Sequence, residues 1–316
     1  MKPNETQTDW PLIGLDGANP LAFLAALGTG LIASTIWPHS RLCWRLLDGN
    51  WRPILSCPES DQERLLEQFH AALRDASTIA FGIDNKLPFR ADKFASVLKT
   101  SAAGAHPDRR RDCDFLAAFG TEIRPEMDAK KNPLFRDTRL RMVRSGDSAG
   151  QGLPVYARVI RQATGIVHLR RTLFEPWDYG DHDFSSLRWD PLEDQRYALR
   201  WRDPSKSGAN DGPGSMLGAN GLALEALQAF PVIWTGREAE TTGFHRNGRR
   251  EVFFTWPIWS ASIGMDTVRS LLTLPALADD EPPKEELAAM GIDEIFRCQR
   301  IQQNQYYSNF SPARPA

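Results

Sequence analysis

A short phrase that occurs twice, each time ahead of an apolar stretch, constrains the fold of this chain more than any other feature. It reads Gly-Ala-Asn at residues 17–19, followed by Pro20, and again at residues 218–220. Asparagine is a favoured N-cap residue, and proline is well tolerated at the first helical position. We therefore predict that Asn19 and Asn220 each cap the start of a helix.

Three interpretations of the repeated phrase are open at this stage. The phrase could begin two unrelated helices with ordinary caps, or a matched pair of helices that pack against each other. In the third interpretation, the glycine at each helix mouth lets a phosphate group approach the free amides of the first turn.

Composition limits where the chain can reside. The longest uncharged run, Gly17–His39, is only marginally long enough to span a bilayer and has no basic flank, so we predict a buried helix and no membrane contact. The N-terminal residues 1–10 are polar and not basic, which is atypical of a secretory signal. The cysteines form no Cys-x-x-Cys pair, which favours the cytoplasm over a disulfide scaffold or a zinc ribbon.

Local patterns predict a mixture of helices and strands without regular alternation. Asp48-Gly49 predicts a hairpin turn between two strands, Ala91–Ala103 has helical spacing, and the short apolar run Ile79–Ile83 is interpreted as a strand. We predict an α+β fold of mixed helices and antiparallel strands. It would form one large domain over residues 10–300, with a boundary near 150–210 as the alternative, followed by a C-terminal tail at 301–316.

Charge is unevenly distributed, although the net charge of the whole chain is only −2. From Lys130 to Arg171, ten basic residues stand against Asp137 and Asp147, which gives a net charge of +8. From Glu175 to Asp194, seven acidic residues stand against one arginine, which gives −6. The two segments could therefore pair with each other, or the basic segment could be a solvated face or meet a polyanion.

The basic segment is almost entirely arginine, whose guanidinium group binds phosphate through two hydrogen bonds and stacks on bases. We predict that this segment contacts a nucleic-acid backbone. The residues predicted to make these contacts are Arg136, Arg139, Arg141, Arg144, Arg170 and Arg171, with Arg200 and Arg202 as second choices because they flank a tryptophan beside a polar loop.

Catalytic motifs are scarce. Residues 146–150 match the serine-hydrolase elbow with Ser148 as the nucleophile, but Gly152 and Pro154 disfavour the helix that this motif requires. Residues 178–183 are rich in aspartate around a single histidine, yet a metal site needs ligands from several elements. The chain has no Walker loop and no dinucleotide fingerprint. We expect a non-enzymatic protein without metal or cofactor.

Several blocks of the chain resemble CRISPR-associated proteins of type I-G systems, formerly called type I-U. The opening block Leu15–Gly28 is similar to the opening motif of that group. The other blocks that carry the resemblance are residues 196–205, 218–223, 256–259 with 268–272, and 309–314. The opening phrase is shared by large-subunit-like proteins and by a smaller group described as an extension of the helicase-nuclease, and this chain resembles the smaller kind. Gly221 departs from the larger residue expected there.

The resemblance implies a cytoplasmic, non-catalytic component of an RNA-guided antiviral effector. Such a component would contact guide RNA or target DNA, or would bridge other effector subunits in the ribonucleoprotein. The alternative is a protein-interaction adaptor without nucleic-acid contact, in which the ten tryptophans form the contact surface and the arginines pair with acidic segments. A serine hydrolase that uses Ser148 is a third hypothesis.

Overall fold

The structure, a computed structural model, describes residues 6–75, 79–103, 110–143, 152–181, 186–193, 214–303 and 307–316. Helices and antiparallel strands are mixed along the chain, which confirms the predicted α+β class. The helices are α1 (Pro20–Ile36), α2 (Gln62–Asp75), α3 (Ile79–Gly82), α4 (Ala91–Ala103), α5 (Arg110–Phe119), α6 (Leu153–Ala163), α7 (Ile166–Phe174), α8 (Leu217–Ala226), α9 (Met265–Leu272) and α10 (Lys284–Ala289).

The strands form four antiparallel sheets within the described ranges. The first is ordered β1-β3-β2, and the largest is ordered β11-β10-β9-β8 with β12 also paired to β10; β4–β5 and β6–β7 are two-stranded. Their bounds are β1 (Thr8–Pro11), β2 (Arg41–Leu47), β3 (Asn50–Cys57), β4 (Gly120–Met127), β5 (Pro133–Asp137), β6 (Val232–Trp234), β7 (Ala239–Thr241), β8 (Phe244–Arg246), β9 (Val252–Trp259), β10 (Ile292–Gln302), β11 (Ser308–Phe310) and β12 (Arg314–Pro315).

The centre of the protein is a pair of helices, α1, which follows the first copy of the repeated phrase, and α8, which contains the second copy. Helix α1 is buried from Pro20 to Ala33, and every residue of α8 is buried. The two backbones are in contact at Gly28. A Cβ added to Gly28 would lie only 1.8 Å from the carbonyl oxygen of Leu222. The two helices therefore pack against each other, as the second interpretation of the repeated phrase predicted.

Aromatic rings connect α1 to the first and the largest sheets. Phe23 stacks on Trp44 of β2 and on Trp256 of β9, with ring centroids 5.9 and 5.5 Å apart. The indole nitrogen of Trp256 donates a hydrogen bond to the carbonyl oxygen of Gly17 at 2.8 Å. Apolar contact and the hydrogen bond of Trp256 together fix both sheets against the start of α1.

Local turn chemistry predicts the β2–β3 hairpin correctly. Asp48 and Gly49 both have positive φ, 50° and 77°, as a two-residue turn with right-handed strand twist requires. The predicted strand at Ile79–Ile83 is wrong, because α3 occupies this run. Phe81 packs on the rings of Phe115 and Phe119 of α5, and a short apolar run does not by itself distinguish a strand from a buried helix.

The C-terminal residues do not form the predicted tail at 301–316. Where the chain is described, β11 pairs with the end of β10 and β12 pairs with its middle. Phe310 is fully buried and stacks on Phe254 with ring centroids 5.4 Å apart. Burial of this one aromatic side chain stabilises the pairing of the segment with the sheet. The polar residues around Phe310 in the sequence do not indicate this burial.

Candidate nucleic-acid interface

The start of α1 is held by Asn19 and by a buried carboxylate. Oδ1 of Asn19 accepts a hydrogen bond from the amide of Ala22 at 3.1 Å, which confirms the predicted cap. Nδ2 of Asn19 donates to Oδ2 of Asp190 at 3.3 Å, and the hydroxyl of Tyr179 donates to the same oxygen at 3.1 Å. Burial raises the pKa of Asp190. The first copy of the phrase therefore forms a structural junction, in which hydrogen bonds join the start of α1 to Asp190 and Tyr179.

Replacement of Asn19 by alanine is expected to destabilise the protein by about 1–2 kcal/mol, because both the cap and a donor to Asp190 are lost. Asn19→Ser separates the two effects, since serine caps a helix equally well but is too short to reach Asp190. Denaturant unfolding of the three proteins measures this. Equal stability of Asn19→Ala and the unmodified protein would contradict the assigned role.

The second copy of the phrase does not cap a helix, so the prediction for Asn220 is wrong. Helix α8 begins at Leu217, and Asn220 lies in its first turn. Nδ2 of Asn220 donates to the carbonyl oxygen of Met216, and Oδ1 accepts from the amide of Leu187, each at 3.0 Å. The amide of Leu217 is bound instead by Oδ2 of Asp181 at 2.7 Å, a distant partner that local sequence does not reveal.

Neither helix mouth offers room for a phosphate group, so that interpretation of the phrase is also wrong. A Cβ on Gly17 would lie 2.9 Å from Cβ of Trp51, and one on Gly218 would lie 2.3 Å from the carbonyl oxygen of His168. The space beside each glycine is filled by this chain itself. Both glycines therefore serve close packing.

The acidic segment binds one of the predicted arginines. Arg171 of α7 forms an ion pair with Asp181 at 2.9 Å and a second with Asp178, and the hydrogen bond with Asp178 raises the pKa of Arg171. In the described part of the chain, no three His, Cys, Asp or Glu side chains are grouped as a metal site requires. The aspartates at 178 and 181 thus position α7 and the start of α8, while residues 182–185 lie outside the described ranges.

Arg170, the neighbour of Arg171 on α7, pairs with a different helix. Its guanidinium forms an ion pair with Glu63 of α2, and the two side chains are 31% and 60% exposed. Exposed ion pairs of this kind contribute little stability and exchange readily with other ligands. Arg170 is therefore accessible to an anion, whereas Arg171 is held at the junction.

Arg141 and Arg139 follow β5 and differ sharply in exposure. Arg141 is only 6% exposed; it pairs with Asp137 and donates to the carbonyl oxygen of Leu87. A side chain so buried stabilises the fold and has no access to a strand of nucleic acid. Arg139 is 26% exposed, with its nearest nitrogen 3.8 Å from Oε2 of Glu238.

The third arginine of this stretch, Arg136, belongs to a partly exposed group of basic and aromatic side chains. Its guanidinium lies over the ring of Trp234 on β6 at 5.6 Å from the centroid, and that of Arg124 on β4 lies at 5.9 Å. Nε of Arg136 donates to the carbonyl oxygen of Arg124 at 2.7 Å, and Nη1 pairs with Glu126 at 2.8 Å. We call Arg124, Arg136 and Trp234 the arginine–tryptophan surface.

The cluster of arginines in the sequence predicts Arg136 but does not indicate Arg124 or Trp234. Trp234 is about a hundred residues away in the chain and reaches Arg136 only because β6 packs beside β4. An arginine flanked by glutamates, as Arg124 is, gives no local signal of a basic surface. Four further residues that the sequence singled out lie outside the described ranges, namely Arg144, Ser148, Arg200 and Arg202.

The tryptophans are mostly structural. Four of them are fully buried: Trp44, Trp189, Trp256 and Trp259. The other five in the described ranges are partly buried, and Trp201 lies outside those ranges. The adaptor hypothesis assumed that the tryptophans as a set form a contact surface. The four tryptophans in the core cannot belong to such a surface.

His245 of β8 lies in an unusual electrostatic environment. It stacks on Phe253 at 5.7 Å, and both ring nitrogens are buried without a hydrogen-bond partner among the described residues. Burial, reinforced by the positive charge of Arg297, lowers the pKa of His245 from 6.5 to about 4; Asp279 and Asp280 act in the opposite direction. The imidazole is therefore neutral at pH 7.

Stability is expected to fall as pH decreases from about 6.5 towards 4. In this window the unfolded imidazole binds a proton while the folded one stays neutral, so protonation favours unfolding. His245→Phe keeps the ring packing and removes the titration. The free energy of unfolding of both proteins is measured at pH 7, 5.5 and 4.5. On acidification, the value for the unmodified protein should fall relative to that for the variant. Parallel pH profiles for the two proteins would contradict the assigned environment.

Comparison with other proteins does not place the chain in a family. No protein-family model matches it, and no curated protein matches it in sequence. Among the described helices, none combines the length and the apolar character needed to cross a bilayer.

Proposed function

We propose that this protein is a non-catalytic, nucleic-acid-associated component of a type I CRISPR effector. The sequence blocks that resemble type I-G proteins supply the setting. The observation that carries nucleic-acid contact is the arginine–tryptophan surface, where two guanidinium groups lie over one indole ring on adjoining strands.

This combination of groups suits a single strand of nucleic acid. Guanidinium groups bind backbone phosphates, and both indole and guanidinium planes stack on unpaired bases. Arg124 belongs to an exposed part of β4, and Trp234 is partly exposed, so both are accessible from solvent.

The existing ion pair of Arg136 does not prevent binding. Its partner Glu126 is 65% exposed, and pairs of this kind contribute about 0–1 kcal/mol. A phosphate group can replace such a carboxylate at small cost, because the guanidinium exchanges one charge-assisted pair for another. Arg170, whose partner Glu63 is 60% exposed, is accessible in the same way.

The direct test is fluorescence-anisotropy titration of short single-stranded RNA and DNA over a range of salt concentrations. The double variant Arg124→Ala/Arg136→Ala should bind more weakly, and its salt slope should be smaller by about 1.4, since each lost phosphate contact on a single strand removes about 0.7. Trp234→Ala should weaken binding with little change in that slope, because stacking releases no counterions.

The matched control is Arg64→Ala/Arg74→Ala, which removes two exposed charges from α2 far along the chain from this surface. Reversal of Arg141 to glutamate is not a clean probe, since a buried ion pair would be broken at the same time. The assignment fails if the α2 variant and the surface variant lose equal affinity, or if the unmodified protein binds neither strand at low salt.

The cellular setting is tested by a tagged pull-down from the native host with RNA sequencing and mass spectrometry. Recovery of a CRISPR guide with effector subunits would support the proposal. The second candidate function is a protein-interaction adaptor, which the ion pairs of Arg171 with the acidic segment favour. Recovery of protein partners without RNA would favour the adaptor.

A further inference from the structure

A polar cleft of about 560 Å³ lies at the end of α1 that is remote from the repeated phrase. The last turns of α1, the start of β2, the start of α5 and the start of α9 enclose it, and its volume falls within the range of small-molecule sites, about 300–1,000 Å³. We call it the arginine cleft after the four arginines that line it, Arg41, Arg110, Arg111 and Arg269.

Carboxylates neutralise three of these four arginines. The pairs are Arg269 with Asp114 at 2.8 Å, Arg110 with Asp266 at 3.3 Å, and Arg111 with Glu225 at 2.7 Å. Arg41 forms no hydrogen bond or ion pair with any residue that the structure describes, so one positive charge remains in surplus. The cleft is therefore cationic although the chain as a whole is slightly acidic.

Arg41 is an exposed residue at the start of β2, next to the start of α9. Its guanidinium lies against Gly264, the N-cap of α9, where an added Cβ would be 2.6 Å from Nη1 of Arg41. The first hydrogen bond within α9 joins the amide of Val268 to the carbonyl oxygen of Gly264, so the preceding amides of the first turn remain free. A cation at the positive end of a helix is unfavourable by itself, whereas an anion that lies beside both groups would be bound by the guanidinium and by the free amides.

We propose that the arginine cleft binds a phosphate group, carried either by a free nucleotide or by the end of a nucleic-acid strand. Phosphate has enough acceptor oxygens to engage Arg41, Arg110 and the free amides of α9 together. Asp266, which also lines the cleft, is 87% exposed and can turn away from the anion into solvent. This site is separate from the arginine–tryptophan surface and does not depend on nucleic-acid binding there.

Calorimetric titration with pyrophosphate, ADP, and 5′-phosphorylated and 5′-hydroxyl oligonucleotides tests the proposal on the full chain. Arg41→Ala should weaken pyrophosphate binding about ten- to hundredfold, the loss typical of one charge-assisted hydrogen bond. Arg41 has no partner to lose among the described residues, so the variant should keep its fold, which an unfolding curve verifies. Arg64→Ala, an equal charge change on α2, should leave the affinity unchanged.

The outcomes also identify the source of the phosphate group. Preference for the 5′-phosphorylated oligonucleotide that disappears in Arg41→Ala indicates a strand end, whereas binding of ADP without that preference indicates a free nucleotide. Failure of all probes to bind, or equal affinity in Arg41→Ala and the unmodified protein, overturns the proposal. If the Arg124→Ala/Arg136→Ala variant still binds pyrophosphate, the arginine cleft binds phosphate without help from the arginine–tryptophan surface.

Discussion

Replacement of Gly28 by alanine is expected to destabilise the protein by about 3 kcal/mol, at the upper end of the usual cost of overpacking. The added methyl group would lie 1.8 Å from the carbonyl oxygen and 2.7 Å from the carbonyl carbon of Leu222. These are backbone atoms of a fully buried helix, so no side-chain rotation relieves the contact. The gain of about 1 kcal/mol in helix propensity from glycine to alanine offsets only part of this cost.

Gly30→Ala is the matched control, since Gly30 lies two residues along the same buried helix. Its added methyl group would be 2.7 Å from the sulfur of Met265, the flexible end of a side chain that can move aside. Because the propensity gain is the same, we expect a change within about 1 kcal/mol. Denaturant unfolding of both variants measures the difference. Comparable stabilities would show that α1 and α8 are not packed backbone to backbone.

Replacement of Glu225 by alanine is expected to cost about 3–5 kcal/mol, the usual result of breaking a buried ion pair from one side. Glu225 on α8 is 2% exposed, and its carboxylate pairs with Arg111 at 2.7 Å and with Arg161 at 3.8 Å. Burial already lowers the pKa of Arg161, and the charge of Glu225 opposes that shift. Without the carboxylate of Glu225, the positive charges of both guanidinium groups would lose the negative charge that neutralises them.

Two controls separate charge from packing in this experiment. Glu225→Gln preserves volume and part of the hydrogen bonding but removes the charge, so its loss of stability should be smaller than that of the alanine variant. Glu126→Ala breaks the exposed pair with Arg136 and should change the free energy of unfolding by less than about 1 kcal/mol. A buried and an exposed variant of equal stability would mean that the Glu225 network is open to solvent.

The candidate sites were only partly predictable from the sequence. A cluster of arginines indicates where guanidinium groups are abundant, and Arg136 was found in this way. The same cluster also contains Arg141, which is 6% exposed, because burial and pairing with Asp137 depend on packing rather than on composition. The arginine cleft gave no signal, since Arg41, Arg110 and Arg269 come from three separate parts of the chain.

Local interactions in the sequence by themselves determined several elements of this protein. The cap at Asn19, the turn at Asp48-Gly49 and the helix Ala91–Ala103 each depend on backbone conformations and hydrogen bonds within a few residues, so short-range rules suffice. Tertiary structure alone decided that Asn220 lies inside a helix and that Asp181 supplies its cap. Likewise, only packing decided which arginines are buried, because partners distant in sequence set the dielectric environment and the charge around each guanidinium.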